Sequence, residues 1–392
     1  LLTFQSFSTI LCSQNALIAM QCVTPVNLIL YHLFVKMQKI PHLDAMQQLT
    51  QQIKNWGKDF GFQQVGISGI DLGQHGEHLQ AWLAKGYHGD LTYMASHGEK
   101  RWRPELLVEN TQSIISVRMD YLQHKPTPRT ITDYPQQGVI ARYALGRDYH
   151  KTLRKRLQKF AEKISLEIDN LGYRAFVDSA PVLERAVAEQ AGLGWIGKNT
   201  MLINKQAGSF FFLGELFTDL PLIADTPVSH HCGSCQACLN ICPTQAIVAP
   251  YQLDARLCIA YLTIEYTGII PEELRDKIGN RIFGCDDCQL ICPWNRYAQL
   301  SKEDDFKIRH HLDQLSLLEL FAWSEQTYLH KTEGSPIRRI GYEGFLRNIA
   351  IGLGNAPYST TIVQALQEKK ATVSNLVQEH INWAINKQLL QQ

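Results

Sequence analysis

The chain has 392 residues, 38 Lys and Arg against 37 Asp and Glu, and 45% hydrophobic residues. This is the composition of an ordinary soluble globular protein, and the length predicts two or three domains rather than one core. A net charge of +1 gives no global pull toward nucleic acid or membrane, so a nucleic-acid surface has to be a local patch.

Residues 1–36 read unlike the rest. Residues 16–35 are mostly apolar, but Gln21, Pro25, Asn27 and His32 interrupt them, whereas a membrane span needs about 20 predominantly apolar residues. Residues 1–15 hold no Lys or Arg, the charge that opens a secretory signal. At Met37 the text becomes polar and well patterned. We read Met37 as the biological start and 1–36 as a leader that is not part of the fold; a weak membrane anchor or an unstructured extension are the alternatives.

Residues 37–225 read as α/β. Apolar strands are expected at 64–67, 113–119, 138–143 and 174–177, with helices between them at 46–60 and 149–171. The second helix opens with Lys151, Arg154, Lys155, Arg156 and Lys159, read as a solvated face in preference to a tRNA-binding patch. Asp178 stands at a strand end or caps the following helix, with Ser179 competing for the cap. That helix is expected at 181–191, with Pro181 in its first turn and Gly192 as its stop. Residues 192–197, Gly-Leu-Gly-Trp-Ile-Gly, match the dinucleotide fingerprint, and with Lys198 most of a phosphate loop. Both motifs require a preceding strand, and a phosphate loop requires Ser or Thr where Asn199 stands. The glycines are therefore read as a tight loop approaching a ligand. Residues 200–219 read as two strands paired around Gly208.

Ten cysteines are present. Cys12 and Cys22 lie in the leader, and the other eight fall between 232 and 292. Cys232, Cys235, Cys238 and Cys242, followed by Pro243, form C-x2-C-x2-C-x3-C-P, the bacterial ferredoxin run. Cys285, Cys288, Cys292 and Pro293 repeat its ending, and Cys258 supplies the missing early thiol. By crossover, Cys232, Cys235, Cys238 and Cys292 would hold one 4Fe–4S cluster. Cys242, Cys258, Cys285 and Cys288 would hold the other. Zinc favours separated C-x2-C pairs, and disulfides need an oxidising compartment. Residues 310–392 read helical throughout. Leu312, Leu315, Leu317, Leu318 and Leu320 are expected in one helix, and residues 342–353 in another, stacked like a short solenoid pair. His230 and His231 read as exposed, and Arg338 and Arg339 as a second basic group.

The blocks Tyr93-Met-Ala, Arg101, Ala141-Arg-Tyr, Asp148-Tyr-His150, Val177 to Arg185, Gly192 to Thr200, both cysteine runs, Cys292-Pro-Trp-Asn295 and Leu346 to Asn355 resemble the epoxyqueuosine reductases. These are cobalamin-dependent enzymes of the last step of tRNA queuosine synthesis. The resemblance runs from about residue 44 onward. It implies a nitroreductase-like α/β cobalamin domain at 37–225, a ferredoxin-like two-cluster domain at 226–300 and a HEAT-type helical domain at 301–392. It implies reduction of epoxyqueuosine to queuosine at the wobble position of tRNA with a GUN anticodon. An external one-electron donor such as flavodoxin or ferredoxin would feed the clusters. The protein would be a cytoplasmic monomer with no membrane partner. Asp178 becomes the catalytic acid, and Arg101, Ala141, Asp178, Leu202, Cys285 and Asp286 become cofactor contacts, with the glycine loop packing on the cobalamin side. A donor must keep its proton near neutral pH, so burial of Asp178 is expected to outweigh the helix N-terminus that favours its ionised form. A reductive dehalogenase-like cobalamin enzyme and a non-catalytic ferredoxin-type electron carrier are the rival readings.

Eight thiolates imply about eight iron and eight sulfide per chain after anaerobic purification. Iron analysis giving about four would defeat the two-cluster assignment.

Overall fold

A computed structural model describes residues 43–126 and 134–392. The reading of 1–36 as a leader lies outside the described residues. The chain divides into two units, 1–49 and 50–392, with the boundary inside the first helix, Leu43–Asp59. The second unit is described below. No described helix is long and apolar enough to cross a membrane.

The second unit is mixed α/β. Its main sheet has four strands: β1 (Gln64–Ser68), β2 (Ser113–Asp120), β3 (Tyr173–Phe176) and β4 (Phe211–Thr218). They run in the order β1-β2-β4-β3, and every neighbouring pair is antiparallel. All eight residues of β2 are buried, as are seven of the eight in β4, because both strands are covered on both faces. Ser116 stands opposite both Gly66 and Glu215, and Glu215 stands opposite Phe176. Helix Tyr149–Glu167 covers one face with Leu153, Leu157, Phe160, Ala161 and Ile164, a helical stripe. A Cβ on Gly214 would come within 2.8 Å of Leu157, so glycine allows the close approach. Helix Glu184–Gln190 covers the other face, where Ala186 and Val187 join Ile114, Phe176 and Phe217 in one core.

Several expected elements form differently. Only Val139–Ile140 of the strand expected at 138–143 forms, and it pairs in parallel with Arg281–Phe283, outside the main sheet. The turn at Gly208 forms, with φ +67°, but its two flanks do not pair as strands. Leu202–Ile203 pairs with Trp195–Ile196 instead. The aromatic run of β4 is apolar on both faces and is drawn to the sheet centre. Helix Tyr149–Glu167 stops short of 171, before Asn170 at φ +58°. The leucine-rich helix starts only at Leu317, because Ser316 and Glu319 form a capping box that leaves Leu312 and Leu315 outside.

The cysteine-bearing segment consists of short helices and hairpins, and the C-terminal region is helical. Helix Gly341–Asn355 packs on Thr360–Lys370 and Asn375–Leu389. Two buried side chains of the first of these tie the region to the cluster segment. Arg347 donates to the carbonyls of Leu262, Tyr266 and Gly268. Asn348 Nδ2 donates to Thr263 and Ile282 at 2.9 Å each. Asn348→Leu strands those carbonyls without donors, at about 1–3 kcal/mol apiece. Denaturant unfolding should show the loss, and an unchanged midpoint would mean that the bonds carry no net stability.

Candidate active site

Strand β3 runs out at Phe176 and leads to Asp178, whose φ of +45° is uncommon for a residue with a Cβ. Three groups hold it there. Its backbone N–H donates to the Glu184 carboxylate. The Tyr149 hydroxyl donates to its Oδ2 at 2.8 Å, and His150 Nε2 lies 3.0 Å from the same oxygen. Asp148 completes the group. Its Oδ1 accepts the His150 backbone N–H at 3.0 Å, capping helix Tyr149–Glu167, and meets His150 Nδ1 at 2.6 Å. Tyr149 is fixed by stacking on Phe212 of β4, with centroids 3.9 Å apart. The run Asp148-Tyr-His150 thus combines a helix cap with two partners for Asp178.

The charges arrange themselves accordingly. Burial pushes Asp178 toward its neutral form, but the bonds from His150 and Tyr149, together with the charges of His150 and Arg339, hold it below the usual carboxylate range. The expectation that burial keeps the proton on Asp178 is therefore not met. The proton sits on His150: burial works against its charge, but bonds to Asp148 and Asp178 raise its pKa to about 9. Behind Asp178 the balance reverses. Burial and the Asp178 charge push Glu184 up to about 8. Glu215, fully buried on β4, is raised further by burial and by Glu184. Capping is excluded for Asp178, because the next helix starts at Glu184 with Leu183 as its N-cap, three residues later than the expected Pro181 start.

Asp178 and His150 open onto a cleft of about 1800 Å³, whose walls include Tyr93, Tyr143, Cys258 and Glu265. Lys151, Lys155, Arg156, Lys159, Arg338 and Arg339 also line it, so most of the cationic helix face turns into the cleft rather than simply to solvent. Of the six expected cofactor contacts, Asp178 lines this cleft. Ala141, Cys285 and Asp286 come together elsewhere. Ala141 N–H bonds Phe283 O at 2.8 Å, and Asp286 Oδ2 accepts the Arg142 N–H at 2.8 Å. Arg101 is buried and braces the Tyr93 wall through the carbonyls of Tyr93 and Ser96. Leu202 is buried in the strand pair behind the glycine loop. There, Cβ atoms on Gly194 and Gly197 would collide with Ile203. Internal packing therefore accounts for these glycines, and a helix rather than a strand precedes them.

The eight thiols between 232 and 292 are unpaired; Cys235 is exposed and the others are partly buried. Cys238 and Cys292 each lie in the field of Cys232 and Cys235. Cys288 lies in that of Cys258 and Cys242, and Cys285 in that of Cys288. Cys238 and Cys288 connect the two groups. Among the described residues, no three His, Cys, Asp or Glu side chains come together tightly enough for a single metal ion. Sequence reasoning gave no role to His150, Tyr149, Glu184 or Glu215. The Asp148 cap beside a His was the one local signal.

The raised pKa of His150 carries a sign. Its stabilisation is fully present below about pH 6.5, the unfolded value, and is lost as pH rises through about 9. NMR titration of the His150 ring should give a midpoint near 9, and Asp148→Asn should lower it. A midpoint near 6.5 in the parent would contradict the network.

The described family model "Epoxyqueuosine reductase QueG, DUF1730" matches residues 101–179. A 4Fe-4S double cluster binding domain matches 231–295. The epoxyqueuosine reductase of Pseudomonas aeruginosa is 59% identical over 341 residues, 87% of this chain and 94% of that protein. That of Escherichia coli is 56% identical over 344 residues, 88% of this chain and 90% of its own. A solved epoxyqueuosine reductase holding a tRNA-Tyr epoxyqueuosine-modified stem loop superposes with a TM-score of 0.80 at 30% identity, covering 87% of this chain and 90% of that one. The Bacillus subtilis enzyme, with an aspartate-bearing catalytic loop swung out of its active site, gives 0.78 at 29% identity over 87% and 91%. This chain belongs to the epoxyqueuosine reductase family.

Proposed function

We propose that this protein reduces epoxyqueuosine to queuosine at the wobble position of tRNA, using cobalamin and two 4Fe–4S clusters. The observation that carries the reading is one cleft in which Asp178, His150 and Cys258 share the lining with a run of cations. Deoxygenation of the epoxide consumes two electrons and two protons and releases water, so proton and electron sources have to meet at one place.

The cleft fits a group of corrinoid size. Its volume of about 1800 Å³ exceeds the roughly 300–1,000 Å³ of ordinary small-molecule pockets. Tyr93, Tyr143 and Phe283 give it an aromatic wall. Tyr93, Tyr143 and Asp178 would hold cobalamin from inside the cleft; Arg101, Ala141, Leu202, Cys285 and Asp286 would act from behind its walls. Bound cobalamin supplies a nucleophilic metal centre that the polypeptide lacks. The side chains supply the rest. His150 stores a proton through neutral pH, and Asp178, bonded to it, delivers that proton to the departing oxygen. Tyr149 keeps the Asp178 carboxylate aimed. Lys151, Lys155, Lys159, Arg338 and Arg339 meet the phosphates of the anticodon stem loop. Cys258, on the cleft wall, belongs to the thiol group through which electrons arrive from a donor such as flavodoxin or ferredoxin. In this reading 37–225 is a nitroreductase-like cobalamin domain, 226–300 the two-cluster domain and 301–392 a HEAT-type domain. The enzyme works in the cytoplasm as a monomer.

The experiment is single-turnover conversion of epoxyqueuosine tRNA by Asp178→Asn, with cofactor content followed by absorption. Asn keeps the size but loses the carboxylate that takes the proton from His150 and passes it on. Turnover should fall by about 100-fold or more, the scale of a lost general acid, while cofactors stay bound. A near-parent rate would return Asp178 to a structural role.

A further inference from the structure

The two thiol groups differ in what they face. Cys258 lines the cleft. Cys235, in the other group, is exposed on the outer surface. Cys238 and Cys288 lie close enough to feel each other's charge, so the groups adjoin. Electrons that leave at the cleft therefore enter on the Cys235 side.

The surface on that side has an unusual composition. Residues 226–253 contain no Asp, Glu, Lys or Arg, although 19% of the chain is charged. Exposed apolar side chains take their place: Ile241 is 40% exposed, Val248 44% and Tyr251 46%. Exposed Tyr297 adds to this face beside Trp294, which follows Cys292 and meets His231. Tyr251 lies in the field of Cys232 and Cys238 and contacts His230, so it borders the same thiols.

Two cations stand at the exposed edge of this face. Lys198 Nζ donates to the carbonyls of Gly233 and Cys235 at 2.7 and 2.8 Å. Exposed Arg296 lies over the Tyr297 ring. The acid nearest His230 is Glu189, which is buried and already paired with His75 at 3.1 Å. An uncharged apolar centre lets a partner come close without stripping water from ions, and a cationic rim steers an acidic partner toward it. RNA requires a dense run of Lys and Arg, which lies in the cleft.

We propose that the uncharged face over Cys235 is the docking surface for an acidic one-electron carrier protein. The inference rests on the two-cluster reading. In each docking event the carrier loses one electron and the cluster beneath Cys235 gains it, so two events supply one epoxide reduction.

The test uses the holoprotein, with fully reduced flavodoxin as the acidic carrier and stopped-flow bleaching of the clusters as the readout. Gln236→Glu and Arg296→Glu place negative charge on this face. Each should slow bimolecular reduction by flavodoxin by about tenfold or more at low salt, within the range of electrostatic steering. Reduction by photoreduced deazaflavin, which needs no docking, and iron content should be unchanged. Val248→Glu, at an exposed hairpin position between the ligand runs in sequence, gives the same test if Gln236→Glu loses iron. Flavodoxin rates equal to the parent's would overturn the proposal, as would suppression of flavodoxin reduction in proportion to bound tRNA stem loop. A parent without cluster absorbance would defeat the two-cluster reading itself.

Discussion

Eight thiols from three separate chain segments have to converge, and much of the second unit is arranged around that demand. The segments around Cys232, Cys258 and Cys285 are short and poor in regular structure, so they cannot hold their places by their own packing. Hydrogen bonds from neighbouring segments do it for them. Asn295 Oδ1 accepts from Ser209 N–H at 2.6 Å, and Gln289 Nε2 donates to Ser209 O at 2.9 Å, tying the second cysteine run to the start of β4. Asn199 donates to Cys288 O, and Lys198 to Cys235 O. From the C-terminal side, Arg347 and Asn348 grip residues 262–268 and Ile282. These side chains pair with backbone groups of the short segments, and a buried backbone group without a partner is costly. The helical C-terminal region is thus a clamp on the cysteine-bearing segment.

The acid group depends on the same sheet. Phe212 on β4 positions Tyr149, and Glu215, three residues on, lies in the buried carboxyl pair with Glu184. The arrangement separates two kinds of carboxyl. Asp178 is ionised because it has donors, whereas burial makes Glu184 and Glu215 resist ionisation, reinforced at Glu184 by the Asp178 charge and at Glu215 by Glu184. A proton on His150 and a charge on Asp178 make a pair that can pass one proton outward and refill from solvent along the cleft. The positive φ at Asp178 adds local strain, which the Glu184 and Tyr149 bonds counter.

The cysteine runs were fully legible in sequence because ligand spacing is local. The four sheet strands and helix Tyr149–Glu167 were legible from periodicity, and the Gly192 stop from its place after an apolar helix. Pairing was less legible. The two strands around Gly208 take other partners because β4 is apolar on both faces, which competes with a simple hairpin. The helix expected from Leu312 begins at Leu317 because a capping box overrides the leucine pattern. The protonation state of Asp178 was not legible at all. It is set by His150 and Tyr149, 28 and 29 residues away in sequence, and only their approach in space decides it. The cationic helix face had the same limitation: its charges are visible in sequence, but what they face is not.

In the proposed function, electrons cross from the Cys235 side to the cleft through two clusters ligated by crossing runs. Cys258→Ser probes this route, because among the eight described thiols Cys258 is the one that lines the cleft. EPR of the reduced variant, read together with single-turnover conversion of epoxyqueuosine tRNA, is the measurement. One cluster signal should survive and reduce normally while tRNA conversion stops. Conversion at the parent rate with the second cluster gone would contradict it.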